Sequence, residues 1–215
     1  MRTRSKLLLT ALTAAFVMAA SVGTASAGRL SLAEQGYRAV WTPLEFTGLG
    51  GLLRVRCNVT LRGSFHYRTL LKTRSLVGYV TEARLTRPCT GGEAAILNGT
   101  EAAPNTLPWH MTYDSFTGTL PAIRGVRLAL VGAAFVLEVG GFGTCLYQST
   151  SASPAFGIIN LNTTTGAALS LAADGNSRIP LKETIEGSCP ANGSFTGTTS
   201  SLTNGAGGTA SVRLI

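Results

Sequence analysis

Histidine is almost missing from this 215-residue chain: His66 and His110 are the only two. A Ser-His-Asp relay needs one of them beside a nucleophile, and no Gly-x-Ser-x-Gly elbow is present to supply it. Neither stands in a His-Glu-x-x-His metal motif. His110 follows Trp109 on the wet face of a strand pattern, where a surface or packed role is the ordinary one. Acids are scarce too, ten in all. Paired-carboxylate glycoside chemistry would fall to Glu183 and Glu186, which stand beside Lys182 in an expected loop, as solvated charges do. Phosphate and dinucleotide fingerprints and calcium-loop patterns are lacking; Gly48-Leu-Gly-Gly51 and Gly140-Gly-Phe-Gly143 read as loop or strand-end glycines. No Cys-x-x-Cys occurs, so the clustered ligands of a zinc site are missing. The expectation is no cofactor, no metal and no catalytic residue.

Beyond residue 27 a long apolar run is also lacking. The one such run stands at the start. Arg2, Arg4 and Lys6 precede an uncharged stretch of 14 residues from Leu7 to Ala20, and Ala25-Ser26-Ala27 follows as a small-x-small site. This order marks a secretory signal peptide, a helix over residues 1–27. Fourteen apolar residues are too few to span a bilayer comfortably. The expected mature chain begins at Gly28, has no transmembrane helix, and is secreted or held in the cell envelope. There its cysteines oxidise.

What is abundant is Gly, Thr, Ser and short apolar alternation. Only 13% of residues are charged, while 26 are glycine. Leu53, Val55, Cys57, Val59 and Leu61 alternate with Arg54, Arg56, Asn58 and Thr60, which puts one set on each face of a strand. Similar alternation recurs at Val77–Leu85, Trp109–Tyr113, Val126–Leu130 and Ala133–Val139. Shorter strands are expected near Thr144–Ser149, Gly157–Leu161, Ala168–Ala172, Ser177–Leu181, Ser194–Thr198 and Thr209–Leu214. Asp174-Gly175-Asn176 reads as a hairpin turn. Gly28–Gln35 reads as a turn, a short helix or disordered chain. Many short strands without an amphipathic helix imply an all-β fold. The architecture expected first is a disulfide-stapled antiparallel β-sandwich. A closed β-barrel comes second and a membrane barrel third.

The four cysteines lie at 57, 89, 145 and 189, and four allow three pairings. A weak echo relates Cys89-Thr-Gly-Gly to Cys189-Pro-Ala-Asn-Gly, each run ending in Gly-Thr. Chance in a Gly/Thr-rich chain produces the same echo. On the duplication reading, residues 28–100 and 109–215 are two related β halves, joined by a Pro-containing linker at 101–108, and the halves can form one domain. The local pairing, Cys57–Cys89 and Cys145–Cys189, keeps each bridge within a half and is the one expected.

Charge is lopsided. Without Arg2, Arg4 and Lys6 the formal charge falls from +8 to +5. Between Arg54 and Arg87 eight basic residues face one acid, Glu82. Arg54, Arg56 and Arg62 share a strand face, with Arg68 close by, beside Phe65, His66 and Tyr67. Such a strip attracts polyanions, so an anionic envelope polymer or other polyanion is the partner these four arginines would take. A solvated face in an Arg-rich proteome is the plainer account. The function expected is a non-enzymatic extracellular or envelope-associated protein, binding or structural; the alternative is a secreted hydrolase without a recognisable motif.

The phrases Asn58-Val-Thr-Leu-Arg-Gly-Ser-Phe-His-Tyr67, Leu107-Pro-Trp-His-Met-Thr-Tyr113 and Ser115-Phe-Thr-Gly-Thr-Leu-Pro121 carry a resemblance over roughly residues 47–147. The chain resembles exported all-β proteins of high-GC Gram-positive bacteria. The resemblance implies bacterial origin and export, and assigns no ligand or catalytic residue. The staple reading makes one prediction on its own. Cys57→Ser should cost the oxidised protein about 3 kcal/mol, or roughly 6–12 °C in Tm. An unchanged Tm in a thermal scan contradicts it.

Overall fold

A computed structural model describes residues 29–48, 53–98, 105–119, 122–141 and 143–215. The expected signal, 1–27, and residues 101–104 of the expected linker lie outside these. Sixteen strands follow one another: β1 (Arg29–Leu32), β2 (Gly36–Gly48), β3 (Leu53–Phe65), β4 (Thr69–Leu71), β5 (Leu76–Thr90), β6 (Glu93–Ile96), β7 (Trp109–Gly118), β8 (Ile123–Val131), β9 (Ala134–Val139), β10 (Gly143–Gln148), β11 (Ala155–Leu161), β12 (Ala168–Ala173), β13 (Ile179–Gly187), β14 (Asn192–Thr198), β15 (Ser201–Asn204) and β16 (Val212–Leu214). Gly28–Gln35, read as a turn or helix, supplies β1 instead.

The all-β expectation holds, but the sandwich is overturned. Strands β2, β3, β5, β7, β8, β11, β12 and β14 pair antiparallel in that order, and β14 returns to β2 through Ser194↔Thr47, Phe195↔Phe46 and Thr196↔Glu45. This is a closed eight-stranded barrel whose strands run up and down in chain order. β15 continues β14 along the lower half of β2, with Ser201 opposite Val40 and Asn204 opposite Tyr37. Three barrel strands come from residues 28–100 and five from 109–215, so both stretches build one wall.

Alternation explains the wall. On β3, Val55, Cys57 and Val59 are buried while Arg54, Arg56 and Asn58 are exposed. Each buried Val or Leu contributes about 1.5–3 kcal/mol. β2 follows the same rule with one slip. Pro43 has no amide to donate, so it sits in a bulge; the register jumps between Trp41, opposite Val59, and Leu44, opposite Cys57. The bulge turns both Trp41 and Leu44 inward, where they are 3% and 5% exposed. Apolar inside and arginine outside is the reverse of a membrane-spanning barrel.

The remaining strands come from the barrel's connections and, for β1 and β16, from before its first strand and after its last, and they cover its ends. At the upper end β6, β9, β10 and β13 form a four-stranded run, built from the β5–β7, β8–β11 and β12–β14 connections. Phe135 of this run packs 5.3 Å from Phe46 and 6.2 Å from Phe195 of the barrel wall. At the lower end β16, β1 and β4 form a three-stranded sheet with β1 central, burying Leu30, Leu32, Leu70 and Val212. Asp174-Gly175-Asn176 is a turn, with the Ser177 amide donating to Asp174 O at 2.9 Å. It joins β12 to β13, which are not paired, so it is not a hairpin.

The cysteines form Cys57–Cys89 and Cys145–Cys189 bridges, with Cα separations of 4.5 and 5.6 Å. The first ties neighbouring wall strands β3 and β5. The second ties β10 of the upper cover to the β13–β14 connection, and so holds the cover to the wall.

One glycine fixes the lower interior. A Cβ on Gly63 would collide with the Tyr79 carbonyl oxygen and the Tyr37 ring. Gly63→Ala should therefore lower stability by about 1–3 kcal/mol through overpacking, measurable as a reduced urea midpoint with an unchanged slope.

Candidate functional site

The inward residues of the barrel divide into two kinds. β2, β3 and β7 contribute large rings: Trp41, Phe65 and Trp109. Across the interior β11 and β12 contribute the small Ala155, Gly157, Ala168 and Ala173, with Ile159 and Leu171 the larger side chains among them. Small residues facing rings leave space, and a cavity of about 110 Å³ lies between the two walls. Phe135 and Ile96 of the upper cover and Leu32 and Val212 of the lower sheet also line it. The cavity thus runs inside the wall, between the upper cover and the lower sheet.

Its polar groups are few, and most are satisfied within the protein. The Trp41 indole donates to Gly197 O at 3.3 Å. The Trp109 indole donates to Thr106 Oγ1 at 2.9 Å, and that hydroxyl in turn donates to Leu97 O at 2.9 Å. Above the cavity Tyr147 stacks on Phe135, centroids 5.3 Å apart, and donates to Pro190 O at 3.3 Å. Burial pushes the Tyr147 phenol up to about 12. Tyr37 lines the lower cavity, and burial pushes its phenol up further. Chemically the interior offers shape, dispersion contacts and the Tyr37 phenol, with the Glu34 carboxylate, ion-paired with Arg68, in its lining. It suits an uncharged guest.

The arginines expected to form a polyanion strip lie on the outer face, away from this cavity, and they are paired. Arg54 and Arg56 both reach Glu45, at 3.8 and 2.7 Å. Arg62 reaches Glu82 at 3.9 Å, and Arg68 reaches Glu34 at 3.3 Å. Counting along the segment misses Glu45 and Glu34, which neighbouring elements bring in: β2 sets Glu45 directly across from Arg56. The face is one of mixed charge. Its exposed pairs are each worth about 0–1 kcal/mol.

His66 and His110 also stand outside the barrel. They flank Tyr79 edge-on, with centroids 4.7 and 5.1 Å from it, and Tyr67 continues the row at 72% exposure. Among the described residues neither histidine is paired with a carboxylate. Glu183 and Glu186, expected in a loop, lie exposed on β13. Phe116 is not the core residue its aromatic character suggests; it is half-buried beneath Lys72, whose Nζ is 5.5 Å from the ring.

Two features escape a reading of the sequence. Arg127 lies 3.7 Å over the Phe156 ring and donates to Asp114 at 3.3 Å and Asp174 at 3.0 Å, tying β7, β8 and β11 to the turn after β12 from outside. The cavity itself had a signal: Ala and Gly at alternate inward positions of β11 and at Ala168 and Ala173 of β12. Comparison with protein-family models, curated proteins and solved structures gives no match.

The buried phenols make an alkaline prediction. A tyrosine titrating near 10 when unfolded and near 12 when folded stabilises the fold below pH 10, and that stability is lost as pH rises from 10 to 12. Tm should hold up to about pH 10 and then fall. Tyr147→Phe should shrink the fall between pH 10 and 11.5.

Proposed function

We propose that this protein is exported and acts outside the cytosol as a non-enzymatic carrier of one small apolar molecule, held inside the barrel. The observation behind the proposal is the apolar cavity of about 110 Å³ inside the barrel, lined by aromatic rings on one side and by small and aliphatic residues on the other. Eight-stranded barrels enclose just enough room for side chains or one small ligand. An apolar cavity of about 150 Å³ stays dry and takes a guest of benzene size, so a guest of similar scale fits here. Two internal disulfides and the signal pattern at residues 1–27 support a life outside the cytosol. The secreted-hydrolase alternative draws no support from the histidines, which sit on the outer wall against Tyr79. On this reading a guest enters past one of the end covers.

The test is toluene binding by the oxidised protein. At tenfold excess over Kd a guest stabilises the fold by about 1.4 kcal/mol, or roughly 3–6 °C in Tm. Ala155→Leu fills the cavity from its small wall, so this variant should fold, keep its Tm without toluene within a few degrees, and lose the toluene shift. A toluene shift that survives in Ala155→Leu contradicts binding in the barrel. No shift in the wild type contradicts the carrier.

A further inference from the structure

We infer that the guest carries a hydroxyl group, and that it donates this hydroxyl to Tyr37 Oη. The inference rests on the carrier reading and narrows the guest to a small alcohol or phenol.

Tyr37 is placed with unusual care for a residue with so little to bond. Gly63, on the next strand, provides the slot in which its ring lies, and any larger residue there would strike it. Across this slot the phenol reaches β5 and β7. Its partners there are poor. Oη is 3.4 Å from the Tyr79 carbonyl oxygen and 3.3 Å from Met111 Sδ. The first lies beyond the usual hydrogen-bond range, and a thioether is a weak acceptor. The other ring donors about the cavity differ, since each indole N–H meets an oxygen at 3.3 Å or less.

A buried hydroxyl without a good partner is costly, and phenylalanine would fill the same slot without that cost. A tyrosine oxygen both donates and accepts. Among the described residues nothing donates to Tyr37 Oη, so its capacity as an acceptor is unused. Tyr37 and Met111 both line the cavity. A guest hydroxyl entering there donates to Oη, while the Tyr37 hydrogen keeps its long contact to the Tyr79 carbonyl. The hydrocarbon body then lies against Trp41 and Trp109. A carboxylic acid fits less well, because nothing cationic lines this interior to balance its charge.

The experiment compares phenol with toluene, two guests of one shape, by calorimetric titration of the oxidised wild type and Tyr37→Phe. Tyr37→Phe should keep toluene affinity within twofold and weaken phenol by about tenfold. Met111→Leu removes the thioether and keeps its bulk, and should leave phenol binding as tight or tighter. Equal loss for both guests, or no loss for phenol, overturns the role of Tyr37 while toluene binding leaves the carrier standing. If neither guest binds the wild type, the carrier reading falls and this inference falls with it.

Discussion

Everything in this structure depends on one long-range pairing, β14 against β2. It joins residues about 150 positions apart, with Thr47 opposite Ser194 and Glu45 opposite Thr196. The Thr47 and Ser194 hydroxyls hydrogen-bond to each other beside it. Without this pairing the eight strands form an open sheet with two exposed edges, each a template for association with another chain. With it the sheet has an inside, and each alternating strand acquires a fixed inner and outer face. The cavity, the end covers and the mixed-charge exterior all follow from that closure.

Closure also sets what the interior can hold. The inner positions of an eight-stranded barrel are normally filled by side chains. Here β2, β3, β7 and β14 supply large rings, while β11 and β12 supply Ala155, Gly157, Ala168 and Ala173 beside Ile159 and Leu171, which leaves space between them. The connections then finish the enclosure. Upper connections donate the strands of the four-stranded run, and the first described strand, β1, forms the middle of the lower sheet, flanked by β4 and by the last, β16. The Cys145–Cys189 bridge anchors the upper cover, whereas the lower sheet is held by strand pairing, packing and side-chain bonds such as Arg213 Nε to Thr165 O and Gln35 Nε2 to His66 O.

Much of the wall was legible in the residues. Strict alternation at Leu53–Leu61 and Trp109–Tyr113 shows which side chains face in, because a strand's period is two whatever sheet it joins. Closure was not legible. The strand that closes the ring, β2, has its alternation broken by Pro43, and the same short alternating strands build sandwiches and barrels alike. The pairing of the arginines was hidden for a related reason. A charge count along one segment cannot see Glu45, which lies across from Arg56 only once β2 and β3 pair. The small residues of β11 and β12 were visible, but they mean a cavity only when Trp41 and Trp109 are known to stand opposite.

The central claim is that the closed barrel holds a dry, apolar space open to a guest. Xenon tests it most directly, because the atom binds by dispersion alone and occupies empty apolar cavities. A crystal pressurised with xenon should show an anomalous peak inside the barrel, between Trp109 and Ala155. Xenon found only on the outer surface, or a barrel interior without it, would contradict the account.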